Sequence, residues 1–131
     1  MTPTNVLEPK MLELTAVQYF QAKLNFEMTP WALKSIIEKT PEQICLLDMR
    51  TPEMFAVAHL PTAINIPLVD LVSKLNTLPK NKTIVAYCGN IACALAPKAA
   101  LQLAQKGFKV QELLGGIEMW QEKGFPVEKK A

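Results

Sequence analysis

The chain has 131 residues, half of them hydrophobic and a fifth charged, which suits one domain with its own core. Its net charge of +2 rests almost wholly on lysines, Arg50 being the single arginine, so neither nucleic acid nor an anionic membrane is expected as a partner. No apolar run reaches the roughly 18–20 residues of a membrane span, the first ten residues lack the pattern of a secretory leader, and three cysteines do not make a disulfide framework. These features predict a cytoplasmic protein whose thiols are free to be reactive or inert.

The Pro-containing start, residues 1–9, is expected to fray. Leu12, Val17, Phe20, Leu24 and Met28 recur at helical spacing and predict an amphipathic helix over 10–28. Thr29-Pro30 reads as an N-cap followed by proline at the first helical position, opening a second helix to about Lys39 that Thr40-Pro41 stops. "QICLLDM" predicts a buried strand, with Cys45 as inert core. "TPEMFAVAH" predicts a brief helix, "TAINIPL" a short strand, and "LVDLVSKLNTL" a helix ended by Pro79. "KTIVAYC" is the most strand-like run in the chain. "KAALQLAQKG" predicts a helix closed by Gly107, "FKVQELL" a strand, and "IEMWQEKG" a last helix after the Gly115-Gly116 turn. The residues after Gly124 and Pro126 read as a solvated end.

Strands alternating with helices predict an α/β layer with a mainly parallel sheet, whose ligands sit beyond the carboxyl ends of the strands. Cys88 leaves the "TIVAY" strand at that end. The loop that follows (Gly89, Asn90, Ile91, Ala92, Cys93, Ala94) is rich in small residues and opens a helix. Such a loop turns backbone N–H groups toward a common point and favours a thiolate, a persulfide or a sulfur oxyanion there. The competing reading is a packed core thiol. Cys93, five positions on, is either a resolving thiol for Cys88 or a small packing residue. Cys45, Cys88, Cys93 and His59 contain no close ligand pair of the structural zinc kind, so no metal is expected.

Asp48, Arg50 and Glu53, then His59-Leu-Pro61 with Ala63, Asn65, Ile66 and Pro67, then Tyr87-Cys88, Gly107-Phe108, Gly115-Gly116, Trp120, and Gly124 with Pro126 stand in the order and spacing of the rhodanese family of sulfurtransferases. The resemblance covers roughly residues 29–127, leaving 1–28 as an N-terminal extension and helix and 29–131 as the rhodanese-like domain. It implies a three-layer fold with a five-stranded, mainly parallel sheet flanked by helices, and no cofactor. It implies that Cys88 carries sulfane sulfur as a persulfide, passed from a thiosulfate- or persulfide-type donor to a thiophilic acceptor such as a small or protein thiol. Asp48, Arg50 and Glu53 are expected to brace the active-site loop, and the lone His59 to be structural rather than a general base.

This chain departs from the family pattern in having no cationic or hydroxyl side chain in the loop. Ala58 and Thr62 replace common glycines, and Lys98 is the nearest cation in sequence. The departure favours a persulfide donor over thiosulfate, and the short loop favours sulfur over phosphate. It also leaves two other readings open: a catalytically weak rhodanese-like binding module, and a Cys88–Cys93 thiol redox switch. Whether the chain acts as a monomer or a homodimer is open at this stage.

Overall fold

A computed structural model describes residues 13–130. Its elements in chain order are α1 (Ala16–Phe26), β1 (Glu27–Met28), α2 (Pro30–Lys39), β2 (Ile44–Asp48), α3 (Pro52–Val57), β3 (Ile64–Asn65), β4 (Thr83–Tyr87), α4 (Leu95–Gln105), β5 (Lys109–Leu113) and α5 (Gly116–Glu122). The strands form one five-stranded sheet in the order β1-β5-β4-β2-β3, with every neighbouring pair parallel. β4 lies at its centre, fixed by Leu46 opposite Val85 on one side and Ile84 opposite Val110 on the other.

Alternation along the central strands sends successive side chains to opposite faces. Cys45, Leu47, Ile84 and Ala86 pack with Ala96, Ala99 and Leu103 of α4. Ile44, Leu46, Val85 and Tyr87 pack with Leu33 of α2 and with Ile117 and Trp120 of α5. The result is the expected three-layer α/β arrangement, and it buries β2 completely. No helix among the described residues is long and apolar enough to cross a membrane.

Local signals explain most element ends. Thr29 and Thr51 each accept a backbone N–H at the start of a helix whose first residue is proline. At the end of α4, Gly107 takes φ +86°, with its N–H on Ala104 O and the Phe108 N–H on Leu103 O, the double bond of a glycine-terminated helix.

Four boundaries differ from the sequence expectation. The first helix, predicted over 10–28, runs from Ala16 to Phe26 within the described residues; the part at 10–12 lies outside them. It stops where Glu27–Met28 extends and pairs with β5 as the fifth strand, ahead of the Thr29 cap and Pro30 of the next helix. The segment after Pro67 forms 3-10 turns (Leu68–Asp70 and Val72–Thr77) instead of an α-helix. There Ser73 and Thr77 donate their hydroxyls to carbonyls three residues back, and two valines disfavour a regular helix. The predicted strand "TAINIPL" shrinks to Ile64–Asn65, and α4 starts at Leu95, with Pro97 in its first turn. The chain end is exposed, yet His59 and Glu128 exchange backbone hydrogen bonds of 2.9 and 2.8 Å.

Candidate active site

The carboxyl end of β4 is held by a buried polar network that begins one residue before Cys88. The Tyr87 hydroxyl donates to Asp48 Oδ2 at 2.7 Å and accepts the Leu60 N–H at 3.1 Å. The Arg50 fork grips the same carboxylate, with Nε at 3.0 Å from Oδ1 and Nη2 at 2.7 Å from Oδ2, and Nη2 also donates to Ala58 O. Asn65 ties the Asp48 and Arg50 carbonyls together through its amide. Burial and the Asp48 charge push Tyr87 well above the ordinary phenol value, so it remains a neutral donor. Burial opposes the charge on Arg50, but its pairing with Asp48 outweighs that and raises its pKa.

Glu53, the third residue expected in the brace, is exposed and belongs with Arg50 to a separate shallow depression on the surface. His59 stacks on Phe55 at 3.8 Å, and its Nδ1 lies 2.7 Å from Phe55 O. It does not line the cleft around Cys88, and neither does Lys98.

Cys88 follows directly. Only 3% of its surface is exposed, and it forms the floor of a cleft of about 190 Å³. Its Sγ–H donates to the Cys93 carbonyl at 3.6 Å. The Ala96 and Gly89 amides favour the Cys88 thiolate, and the Leu95 and Gly89 amides that of Cys93. The first turn of α4 therefore acts on the thiols together with Gly89 of the loop. Within the loop, the Ala92 N–H is spent on Asn90 Oδ1 at 2.9 Å and the Cys93 N–H on Asn90 O at 3.0 Å. Two of the loop amides on which the predicted cradle depends are therefore taken by Asn90, which acts as an internal brace. Asn90, Ile91 and Cys93 line the cleft; Ile91 is 76% exposed, and Ala92 and Ala94 face outward beside it.

The two thiols titrate as a pair. Burial, then contact with the Cys93 thiol, pushes Cys88 up to about 12 against the pull of the Ala96 and Gly89 amides. Burial acts the same way on Cys93, but the neighbouring Cys88 thiol and the Leu95 and Gly89 amides outweigh it and hold Cys93 below the ordinary thiol value. The first proton lost belongs to the pair, and the Cys88 S–H points at the Cys93 carbonyl.

From the opposite side, α5 clamps the loop: the Ile117 and Glu118 N–H groups donate to Cys88 O and Gly89 O at 3.0 and 2.9 Å. Gly116, at φ +63°, lies so close that a Cβ there would stand 2.5 Å from Cys88 O.

Sequence reasoning passed over two residues that complete the cleft, Glu27 and Glu112. They are partners in the β1–β5 register. The available signal was the polar pair Gln111-Glu112 near the carboxyl end of the strand beside β4. Glu27 gave none, because the same stretch reads as helix.

Comparison with known proteins places this geometry. Over 87 residues the chain is 32% identical to a sulfurtransferase of Allochromatium vinosum, covering 66% of this chain and 79% of that protein. It is 36% identical over 89 residues to the HTH-type transcriptional regulator Rv0324 of Mycobacterium tuberculosis, covering 68% of this chain but only 39% of the regulator's length. Among solved structures, the BH2092 protein of Bacillus halodurans superposes with a TM-score of 0.80 at 39% identity, over 87% of this chain and 84% of that one. A rhodanese-related protein of Thermoplasma volcanium superposes with a TM-score of 0.70 at 26% identity, over 79% and 97% of the respective chains. The profile of the rhodanese-like domain matches residues 29–123, the stretch that contains β2 to β5, the Asp48–Arg50–Tyr87 network and the Cys88 loop, and the chain belongs to the rhodanese-like domain family.

Proposed function

We propose that this chain is a sulfurtransferase in which Cys88 carries sulfane sulfur between a persulfide- or thiosulfate-type donor and a thiol acceptor. The observation that carries the reading is the position of Cys88, directly after the central strand, in the lining of a cleft and ahead of the first turn of α4. Sulfurtransferase relatives support the reaction class.

In the forward half-reaction the Cys88 thiol first gives up its proton to solvent. The Cys88 thiolate then attacks the outer sulfur of R–S–SH. A Cys88–S–SH bond forms, the donor's S–S bond breaks, and R–S⁻ departs. In the second half an acceptor thiolate attacks the outer sulfur, and Cys88 leaves as the thiolate. The amides of Gly89 and Ala96 stabilise the anionic persulfide as they would the thiolate.

A second outcome is favoured by the nearness of Cys93, whose carbonyl accepts the Cys88 S–H. Cys93 thiolate attacks the inner sulfur of the Cys88 persulfide, forms a Cys88–Cys93 disulfide and expels HS⁻. Sulfane sulfur is then reduced to sulfide and the two thiols are oxidised.

Intact mass after brief exposure to cysteine persulfide tests the proposal. The expected result is a gain of one sulfur atom on Cys93→Ser, the gain or a loss of two hydrogens on the wild-type chain, and neither on Cys88→Ser. An unmodified wild-type chain, or the same adduct on Cys88→Ser, would overturn it.

A further inference from the structure

The mouth of the cleft has a charge pattern at odds with an oxyanion donor. Glu27 and Glu112 sit directly opposite one another on adjacent parallel strands and both line the cleft that holds Cys88 and Cys93. Both are half-buried. Like charges facing each other across two strands oppose folding. Among the described residues one cation answers them: Lys23 Nζ binds Glu27 Oε1 at 2.8 Å. No lysine, arginine or histidine is among the residues that line the cleft. Two carboxylates against one ammonium leave the entrance negative. A ligand approaching Cys88 crosses this field inside a walled cleft, where field lines are concentrated.

We infer that Glu27 and Glu112 are specificity-determining residues, which admit sulfur borne by a carrier with positive charge beside its sulfur and repel dianions such as thiosulfate. The inference names the substrate class of the site and takes the sulfur-carrier reading as its chemical setting. A sulfane sulfur flanked by an ammonium or guanidinium group gains attraction at the entrance. Thiosulfate meets repulsion from the carboxylates, with no side-chain cation among the residues that line the cleft to offset it.

The test separates charge from sulfur transfer. Methanethiosulfonates bearing either an ethylammonium or an ethylsulfonate group share one reaction: a thiolate attacks the sulfenyl sulfur, a mixed disulfide forms and methanesulfinate leaves. The ratio of the cationic to the anionic rate, divided by the same ratio for free cysteine, reports the field at the thiols. Intact mass gives the rates, and peptide mapping assigns them to Cys88 or Cys93.

For the wild-type 131-residue chain a ratio of about ten or more is expected, the lower end of what charged clefts achieve. Lys23→Gln raises it, Glu112→Gln lowers it severalfold, and Glu27→Gln with Glu112→Gln brings it near one. In roughly 1 M salt, where charges are screened over about 3 Å, the wild-type ratio falls as well. The double variant should also load sulfur from thiosulfate several times faster than the wild type. A wild-type ratio near one, or a ratio unmoved by Glu112→Gln, would overturn the inference. If Glu112→Gln alone folds, it decides the question without the double variant. Failure to load sulfur from any donor while the ratio stays high would sink the sulfur-carrier reading and leave the charge selection standing.

Discussion

Gly116 carries the tightest steric constraint on the site. Its φ of +63° lies in the left-handed region, and its missing side chain is what lets the α5 start reach the Cys88 and Gly89 carbonyls. A methyl group there would meet the Cys88 carbonyl at 2.5 Å as well as an unfavourable backbone angle. Gly116→Ala is therefore expected to cost at least about 1–2 kcal/mol from the backbone angle alone. It should also displace the Cys88 loop, so persulfide loading falls further than stability does. Urea titration and loading measured on the same sample check both parts. Retained stability with full loading would show that the clamp is dispensable. At this scale the sequence is informative where one residue type has one use, as with a thiol between an apolar strand and small residues. It is silent on which amides turn inward, because Asn90 takes two of them for itself through contacts that composition does not reveal.

At the scale of elements, the strand end that presents Cys88 is held by side chains from β2, the segment after it and β4. Tyr87 is the joint, since its hydroxyl serves the Asp48 carboxylate and the Leu60 amide at once. Tyr87→Phe leaves two buried groups short of a partner, an expected loss of about 1–3 kcal/mol. Glu53→Gln, on an exposed residue of α3, is expected to stay within about 0.5 kcal/mol. Equal effects of the two substitutions in chemical denaturation would contradict this division of the brace. The Asp48–Arg50 pairing was legible because a single arginine in a lysine-rich chain stands two residues from a carboxylate at a strand end. The part of Tyr87 was not, since an aromatic residue in an apolar strand reads first as packing. β1 was hidden for another reason. Two residues carry no periodicity, and their extended geometry comes with pairing to Glu112 and Leu113 of β5.

At the scale of the whole molecule, the sheet order brings β1 and β5 to the side of β4 where the thiols lie, and so joins residues 85 positions apart in sequence at one entrance. That arrangement has a cost that thermal unfolding should reveal. Burial, and then the Glu27 charge, raise the pKa of Glu112 above the ordinary carboxylate value, while Lys23 pulls it partly back. A carboxyl whose folded pKa lies above its unfolded one favours the folded state in its protonated form. The stability it contributes is complete below the unfolded value, near 4.5, and is lost as pH rises through the higher folded value. Glu112→Gln stays neutral throughout. It should raise Tm at pH 7 relative to the wild type, with the difference shrinking toward zero as pH falls below the unfolded carboxyl value. A Tm for Glu112→Gln that is lower than the wild type at pH 7 would mean that Lys23 more than offsets burial and Glu27, and that the acidic entrance stabilises the fold. A higher Tm together with a reduced preference for cationic reagents would mark Glu112 as a residue that lowers stability while setting the field around the thiols.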